Sequence, residues 1–419
     1  MCILKNSALR QLRLTPNSRR PAPWRTSLLW VALSPAVLAQ VAEPVPESRT
    51  AVIAQQQQEK SRKLEPPRPD RVEALVRRGQ AMFLEFPSGF FPYFASVYHG
   101  GGLTLGGGYR KFIGDNTSWN VQGLYSVKNY KLVEGGVQSR DHLSKRLSFG
   151  SKLGWRDATQ VGYFGLGMSS SQDARTNFRF QQTYADGHAT LKPVRWFPIQ
   201  ASVAAEHWEV KEGKGSFPSI ETVHTPATAP GLGANPTYLH SQVSAGFDWR
   251  PSPGYARRGG LYQATFHDYH SNEGGIYSFQ RLDGEIVQHV PLYRETWVLA
   301  GRARAMTTLN NNDLVPYFLL PALGDGSSLR AFDTDRYRDR HSILYTAEFR
   351  WIPGPAVDMA FFYDAGKVAS RRGDLNFKGL KSDVGVGIRF HGLIATPLRV
   401  DFAIGNEGFK MVIAGGPIF

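Results

Sequence analysis

Residues 341–419 alternate apolar and polar side chains over several short segments. Successive side chains of a β-strand point to opposite faces, so this period of two gives each segment one apolar face and one polar face. The polar face is charged and includes Asp364, Asp383, Arg389, Arg399 and Asp401. A soluble β-sandwich would bury the apolar face, whereas a membrane β-barrel turns that face to lipid and the polar face to its lumen. The alternation alone fits both folds.

The N-terminal segment indicates export. Residues 1–39 contain six Lys/Arg and no acid, and they include an apolar run from Leu28 to Leu38. That run is shorter than the roughly 20 residues of a membrane-spanning helix, and Ala39 provides the small residue that precedes a signal-peptidase cut. We therefore predict a signal peptide over 1–39. The Arg19-Arg20 pair would also fit a twin-arginine signal, but export in a folded state does not suit a barrel.

Cysteine content and net charge limit the disulfides, metal sites and binding partners that the chain can have. The single cysteine, Cys2, falls within the predicted signal peptide, so the exported chain would have no disulfide and no cysteine metal site. Removal of the six signal-peptide cations lowers the formal net charge from +14 to +8. The remaining cations do not cluster with stacking aromatic residues, so we expect outer-membrane lipids and no nucleic acid as partners. No cofactor is expected.

The mature chain divides into a tether and one barrel. Residues 40–70 are rich in Pro, Gln, Glu and Arg, and a short helix could follow over 70–82, so we predict a periplasmic N-terminal tether over 40–82 with no folded client-binding domain. Residues 90–419 form the predicted barrel. Its sixteen candidate strands are 93–99, 102–112, 117–128, 145–155, 160–169, 176–191, 195–210, 237–250, 259–270, 276–289, 293–307, 341–352, 357–369, 381–391, 396–405 and 409–418.

Loop lengths separate the barrel from the sandwich. The long predicted connections, 129–144, 211–236 and 308–340, all follow odd-numbered strands. A barrel with both ends in the periplasm has short periplasmic turns and longer outside loops, whereas a sandwich has no reason for this pattern. We therefore predict an all-β, transmembrane antiparallel barrel with both ends in the periplasm. The short turns predicted after even-numbered strands are Gly114-Asp115-Asn116, Lys192-Pro193, Pro291-Leu292, Pro353-Gly354-Pro355 and His391-Gly392.

Three motifs in the C-terminal third resemble a known family. Leu329-Arg330-Ala331-Phe332 lies in the long predicted loop, and Phe362-Tyr363-Asp364-Ala365-Gly366 and Asp383-Val384-Gly385-Val386-Gly387 lie on two later strands. Their order and spacing resemble the bacterial surface antigen family, the BamA/TamA-like barrels of outer-membrane assembly. The resemblance is good over 320–419 and looser over 90–319. It implies that the long loop enters the lumen, that its arginine meets the strand aspartate, and that the protein inserts or translocates protein substrates.

The residues give this pairing a physical basis. A planar guanidinium suits a carboxylate through two parallel hydrogen bonds, so Arg330 could bind Asp364, although a loop arginine is ordinarily solvated. Ala331 replaces the glycine of the family, which would cause strain only if that position needs a positive φ. Glycines on the inward face leave room for a loop. These glycines are Gly366, Gly385 and Gly387, beside Asp364 and Asp383.

Other lumenal charges leave two interpretations open. They could form a mixed-sign network around the loop, or an ordinary wet pore lining. The set consists of Arg302, Arg304, Glu348, Arg350, Arg389, Arg399 and Asp401.

The last residues suggest a weak seam between the first and last strands. Pro417 cannot donate a ladder hydrogen bond, and Gly415 and Gly416 precede it. In the assembly relatives that seam is a lateral gate, although many edge strands simply end with a proline. The terminal Phe419 resembles the sorting signal of outer-membrane barrels.

The sequence contains no enzyme motif. Neighbouring acid and base residues such as Glu206-His207 and His267-Asp268 would point to opposite faces of a strand, so no enzyme is predicted. Three functions remain open. The barrel could be an insertion factor for unfolded outer-membrane proteins, with or without a periplasmic partner protein. It could instead be a transport channel plugged by loop 308–340, or a structural barrel that interacts at the cell surface.

Overall fold

The computed structural model describes residues 88–93, 95–309, 315–354, 356–392 and 394–419. The signal peptide predicted for 1–39 and the tether predicted for 40–82 lie outside these residues. Within the described ranges, no helix is long and apolar enough to cross a membrane.

Sixteen antiparallel strands form one sheet in which each strand pairs with its neighbours along the chain. The strands are β1 (Gly89–Tyr93), β2 (Thr104–Ile113), β3 (Thr117–Ser126), β4 (Lys131–Asp141), β5 (Leu147–Tyr163), β6 (Thr176–Val194), β7 (Phe197–Glu212), β8 (Thr237–Asp248), β9 (Gly259–Ser271), β10 (Phe279–Tyr293), β11 (Trp297–Thr308), β14 (His341–Trp351), β15 (Val357–Ala369), β16 (Lys381–Phe390), β17 (Leu398–Gly405) and β18 (Gly408–Ala414). A second, two-stranded ladder in the connection between β11 and β14 comprises β12 (Ala322–Leu323) and β13 (Tyr337–Arg338). The helical segments are short: α1 (His142–Lys145), α2 (Ile220–Val223) and the 3₁₀ turns Tyr317–Leu319 and Arg372–Asp374.

The strands keep the alternation of the sequence. On β15, the aromatic side chains Phe361 and Tyr363 are 55% and 46% exposed on the outer face. Phe362 and Asp364, which alternate with them along the strand, are buried. An exposed aromatic face with a charged inner face is the pattern of a barrel in lipid, because apolar side chains meet acyl chains and polar ones line the lumen. The sheet therefore has the two faces of a transmembrane β-barrel.

The connection between β11 and β14 enters the lumen, and we call its described part the lumen loop (residues 315–340). It touches both halves of the sheet: Phe318 packs against Trp208 of β7 at 5.5 Å between ring centroids, and Arg330 binds Asp364 of β15. The sheet must curve around the loop for both contacts to form. The loop is folded in its own right, since β12 pairs with β13 and the Asp335 amide donates to the Gly324 carbonyl at 2.7 Å.

Aromatic packing stabilises the first part of the lumen loop. The rings of Tyr317 and Phe178 lie 4.9 Å apart in an edge-to-face arrangement, and Tyr317 also meets Tyr163 at 5.2 Å. These rings are fully buried and belong to a core cluster built from loop residues and the extracellular ends of the strands. Burial of this apolar surface holds the loop inside the barrel.

The strand assignment from sequence is wrong in its first third. Residues 131–141, predicted as loop, form β4, and the strands predicted at 145–155 and 160–169 are the single strand β5. The first strand lies at 89–93 instead of 93–99. The number of sixteen strands is nevertheless confirmed, because one strand was missed and another was divided.

Two local features explain these errors. Gly135 and Gly136 stand in the middle of β4, where paired glycines ordinarily indicate a turn. On β5, the register shifts between Ala158 and Val161, a bulge that interrupts the alternation in the sequence.

Two of the predicted periplasmic turns also shift. Lys192-Pro193 lies inside β6 and Pro291-Leu292 inside β10, where register irregularities accommodate the prolines. The two longest connections, 213–236 and 309–340, both follow odd-numbered positions in the sheet, as predicted.

Candidate functional site

The inner face of β14 to β17 is built of cross-strand rows in which small, aromatic and charged residues alternate. From the extracellular side, the rows are Thr346, Asp364, Asp383 and Gly405; then Glu348, Phe362, Gly385 and Ala403; then Arg350, Ala360, Gly387 and Asp401. A four-stranded register thus brings together charges that are far apart in sequence. We call this part of the inner wall the C-terminal wall.

Arg330 of the lumen loop reaches the C-terminal wall and is completely buried there. Its Nε donates to Asp364 Oδ2 at 2.6 Å and its Nη2 to Asp364 Oδ1 at 3.1 Å, which is the two-bond pairing of a guanidinium with a carboxylate. Its Nη1 donates to Glu348 Oε1 at 3.1 Å and, more weakly, to Asp401 Oδ2 at 3.4 Å. One loop cation therefore binds three carboxylates on three strands.

The face of the Arg330 guanidinium is also occupied. Its carbon lies 3.2 Å from the centroid of the Phe362 ring, close enough for a cation–π contact. Phe362 can lie against the wall because its cross-strand neighbour Gly385 has no side chain; a Cβ there would overlap the ring. Gly387 similarly leaves room for the Asp401 carboxylate, and Gly366 leaves room for Leu323 of the loop.

Ala331 holds the loop backbone to the next strand. Its amide donates to Asp383 Oδ2 at 3.1 Å, and its side chain faces Gly405 across the wall. Among the described residues, those with positive φ do not include Ala331. A small side chain is thus sufficient at this position, and alanine causes no backbone strain there. Leu329 and Phe332, on either side, are buried in a second apolar cluster.

A second layer of charges lies on the periplasmic side of Arg330. Glu348 accepts from Arg350 Nε at 2.9 Å and from Arg389 Nη2 at 2.5 Å, and Asp401 pairs with Arg399. Arg399 also donates to the carbonyl of Gly326 in the lumen loop. These side chains are almost fully buried, so each charge depends on its partners for the solvation that water would otherwise give.

The other two arginines of the predicted lumenal set belong to a different part of the wall. Arg302 donates to Glu285 at 2.6 Å and to the Ser327 carbonyl of the loop at 2.8 Å, whereas Arg304 pairs with Asp283 on the adjacent strand. Arg304 is about a third exposed. The set is thus divided into the buried network around Arg330 and two separate ion pairs, of which Arg302–Glu285 also reaches the loop and Arg304–Asp283 is partly exposed.

The extracellular end of the lumen loop forms ion pairs with the last hairpin of the barrel. Asp333 pairs with Lys410 of β18, and Arg336 binds Glu407 in the β17–β18 turn at 2.9 Å. Arg336 also donates to Ser170 Oγ at 2.8 Å in the loop after β5. Burial alone would raise the pKa of Asp333, but the Lys410 ammonium outweighs it and lowers this pKa. The loop therefore connects the last strand pair to the first third of the barrel.

The predicted seam residues lie beyond the last strand. β18 ends at Ala414, so Pro417 is outside the ladder that it was expected to weaken. Gly416 has φ +80°, and the chain turns so that the Phe419 ring approaches the Arg350 guanidinium, with 5.3 Å between its carbon and the ring centroid. Gly415 precedes this turn.

Sequence reasoning missed one buried series of hydrogen-bonded polar side chains. Glu206 accepts from His240 Nδ1 at 2.8 Å, and His240 Nε2 lies 3.1 Å from His267 Nδ1. The three residues come from three different strands, β7, β8 and β9, so their separation in sequence gives no signal. The residue types suit proton transfer, but no other described residue marks a substrate position, and no group of described residues is arranged as a metal site.

Comparison with known proteins identifies the family. Residues 111–411 match the family model described as the Omp85 superfamily domain. A search of curated proteins found no match. Among solved structures, BamA from Haemophilus ducreyi lacking POTRA domains 1-3 is similar in fold, with a TM-score of 0.58, 13% identity and coverage of 78% of this chain and 69% of that chain.

Two further solved structures are more distant. CdiB from Acinetobacter baumannii has a TM-score of 0.43 and 12% identity, with coverage of 76% of this chain and 55% of that chain. CdiB from Escherichia coli has a TM-score of 0.47 and 12% identity, with coverage of 75% and 56%. The chain thus spans little more than half the length of these two proteins.

Proposed function

The chain belongs to the Omp85 superfamily of outer-membrane β-barrels of Gram-negative bacteria, and we propose that it inserts other β-barrel proteins into that membrane. Omp85 proteins act in insertion or translocation of proteins at the outer membrane. The specific proposal is that this barrel is an insertion factor for unfolded outer-membrane proteins, and that the Arg330 contact keeps it in its working state.

One observation carries this proposal: a loop arginine binds three buried carboxylates on separate strands. A lumen that only needed a plug could be filled by the apolar contacts of Tyr317 and Phe318 alone. Buried ion pairs contribute little net stability over apolar packing, but they can fix one arrangement among several. We therefore assign Arg330 and Asp364 the role of setting the position of the lumen loop against β14–β17.

The last hairpin is the part of the barrel that this contact would control. Asp401 on β17 binds Arg330, while Lys410 on β18 binds Asp333 of the same loop. A loop that is correctly seated would hold β17 and β18 in the orientation that an incoming strand meets. A periplasmic partner, tethered through residues 40–82, would deliver the unfolded client.

The test is the folding rate of an unrelated outer-membrane barrel into lipid vesicles, with and without this protein reconstituted. We expect wild-type protein to accelerate folding and Arg330→Ala to lose the acceleration. Arg304→Ala is the matched control, because it removes a lumenal arginine whose ion pair, with Asp283, lies within the wall. Absence of acceleration by the wild type would overturn the proposal.

A transport channel is the second candidate, because part of the inner wall is wet. Lys152 on β5 points inward and is exposed, and the His188–Asp186 pair near it is partly exposed. A channel would show ion conductance that rises when loop 308–340 is shortened. Conductance unchanged by that shortening would remove this candidate.

A further inference from the structure

A cavity of about 60 Å³ lies at the extracellular end of the barrel, separate from the Arg330 site. It is several times larger than the space that one buried water needs. The β1–β2 loop, the β3–β4 turn, the end of β5, the β5–β6 loop and the lumen loop all contribute to it. Its lining residues include His99, Lys128, Gln160, Arg175 and Asp333. The cavity can therefore admit a small polar group.

The charges around this cavity do not balance. Asp333 is neutralised by Lys410, and His99 lies 3.7 Å from Asp325. Within the part of the chain that the structure describes, neither Lys128 nor Arg175 forms an ion pair, and Asp333, whose charge acts on both, is already bound to Lys410. Burial lowers the pKa of Lys128, and the nearby Arg175 lowers this pKa further, whereas Asp333 partly opposes both effects. Three cations, Lys128, Arg175 and Lys410, lie around Asp333, the one carboxylate among the lining residues, so positive charge is in excess in this confined space.

Aromatic rings hold the Arg175 guanidinium in place without using its hydrogen-bond donors. Its carbon lies 4.2 Å from the centroid of the Phe217 ring and 5.8 Å from that of Phe164. Its Nε is buried and has no hydrogen-bond partner. When aromatic rings pack against the plane of a guanidinium, its N–H groups stay free to donate to an oxyanion. Two parallel N–H donors match two oxygens of a phosphate.

We propose that this cavity binds a phosphate group through Arg175 and Lys128. The position of the cavity favours a phosphate at the membrane surface. Leu103, just before β2, and Val127, in the β3–β4 turn, are 66% and 71% exposed and are joined by a hydrogen bond from the Val127 amide to the Leu103 carbonyl at 2.9 Å, and Lys128 follows directly. Apolar side chains on that face mark the lipid level, so the cation next to them lies at the height of the headgroups. The phosphate could belong to a lipid headgroup or be free in solution.

The experiment measures binding of phosphate to the full-length protein in two settings. In detergent, inorganic phosphate is titrated by calorimetry against sodium chloride of equal ionic strength. In bilayers, the protein is reconstituted in phosphatidylcholine vesicles with or without phosphatidic acid, a phosphomonoester lipid, and lipid association is measured by energy transfer from tryptophan to a labelled phosphatidic acid. The first setting detects free phosphate, and the second detects a headgroup.

The variants are Lys128→Gln, Arg175→Gln and their combination. We expect each single variant to weaken binding by about tenfold or more, as expected when one charged hydrogen bond is lost. The matched control is Lys145→Gln with Arg195→Gln, which removes the same charge at the periplasmic end. Arg175→Lys keeps the charge but loses the fork, so it should bind more weakly than wild type.

Saturable binding in either setting that is lost in the double variant and kept in the control supports the proposal. Binding only in vesicles assigns the headgroup as the ligand, and binding in both assigns phosphate generally. No binding, or binding that the double variant and the control share equally, overturns it. The insertion activity is measured in parallel and does not enter this result, because Lys128 and Arg175 do not touch the Arg330 network.

Discussion

The two halves of the inner wall carry similar residue types in different surroundings. On the C-terminal wall, Glu348, Asp364 and Asp401 are fully buried beneath the lumen loop. On β4 to β6, Glu134 accepts from the Tyr184 hydroxyl at 2.6 Å and Lys152 is exposed. Water weakens the interaction of charges, so the hydrogen-bonded pairs of this second wall are less strongly coupled to one another than the buried charges of the C-terminal wall. Polar rows become one coupled site only where a loop excludes water from them.

Removal of Arg330 should have the largest effect on stability, because it acts on the buried wall. Arg330→Ala leaves three carboxylates buried with too few cations, so we expect a loss of about 3–5 kcal/mol in the free energy of unfolding. Urea unfolding in detergent, followed by tryptophan fluorescence, measures it.

Arg304→Ala provides the comparison for that experiment. The Arg304–Asp283 pair is partly exposed, so its loss should cost about 1 kcal/mol or less. Equal losses in the two variants would contradict the distinction between a dry wall and a wet one.

Glycine substitutions test whether the C-terminal wall is filled to contact. Gly385→Val forces a side chain into the ring of Phe362, which supports the guanidinium of Arg330, so we expect a destabilisation of about 1–3 kcal/mol. Gly187→Ala on β6 is the control, since a Cβ there meets nothing within 4 Å. Its effect should stay within about 0.5 kcal/mol.

The rim of the lumen loop should give a smaller, pH-dependent effect. The pKa of Asp333 is lowered from its ordinary 3.8, because Lys410 outweighs the effect of burial. A carboxyl with a lowered folded pKa stabilises the protein above 3.8, and the contribution is lost as the pH falls below that value through the folded pKa. Asp333→Asn should therefore lower stability by about 1 kcal/mol at neutral pH.

The difference between wild type and Asp333→Asn should shrink when unfolding is measured at successively lower pH below 3.8. The buffer must be free of phosphate, because Asp333 also lines the proposed phosphate cavity. A difference that stays constant down to pH 2 would show that the Lys410 contact does not hold the hairpin through charge.

Charge removal on the wet wall should have the smallest effect. Lys152→Gln removes a cation from an exposed inward position, so the free energy of unfolding should change by less than about 0.5 kcal/mol. A loss comparable to that of Arg330→Ala would mean that the wet wall is also a coupled network. The same unfolding assay in detergent decides between the two.

Prediction from sequence succeeded where the pattern is local. The alternation over 341–405 gave the strands and faces of the C-terminal wall, because each strand reports its own orientation through a period of two. It failed at β4 and β5, where paired glycines and a bulge interrupt the pattern without interrupting the strand. Local pattern does not show whether a neighbouring strand continues the ladder across such an interruption.

The site was only partly accessible to the same reasoning. The sequence suggested a bond between Arg330 and Asp364 and space around the inward glycines. It could not show that Glu348 and Asp401 share the same guanidinium, because the shared contact depends on the registers of four strands. The Glu206–His240–His267 chain was missed for the same reason.

The sequence by itself determined that every strand has one apolar and one polar face, and its loop lengths favoured a barrel with an apolar exterior and a charged lumen over a sandwich. Only the tertiary structure decided which of the lumenal charges form a site. That choice depends on where the lumen loop excludes water and which strands lie side by side, and neither property belongs to any single segment of the chain.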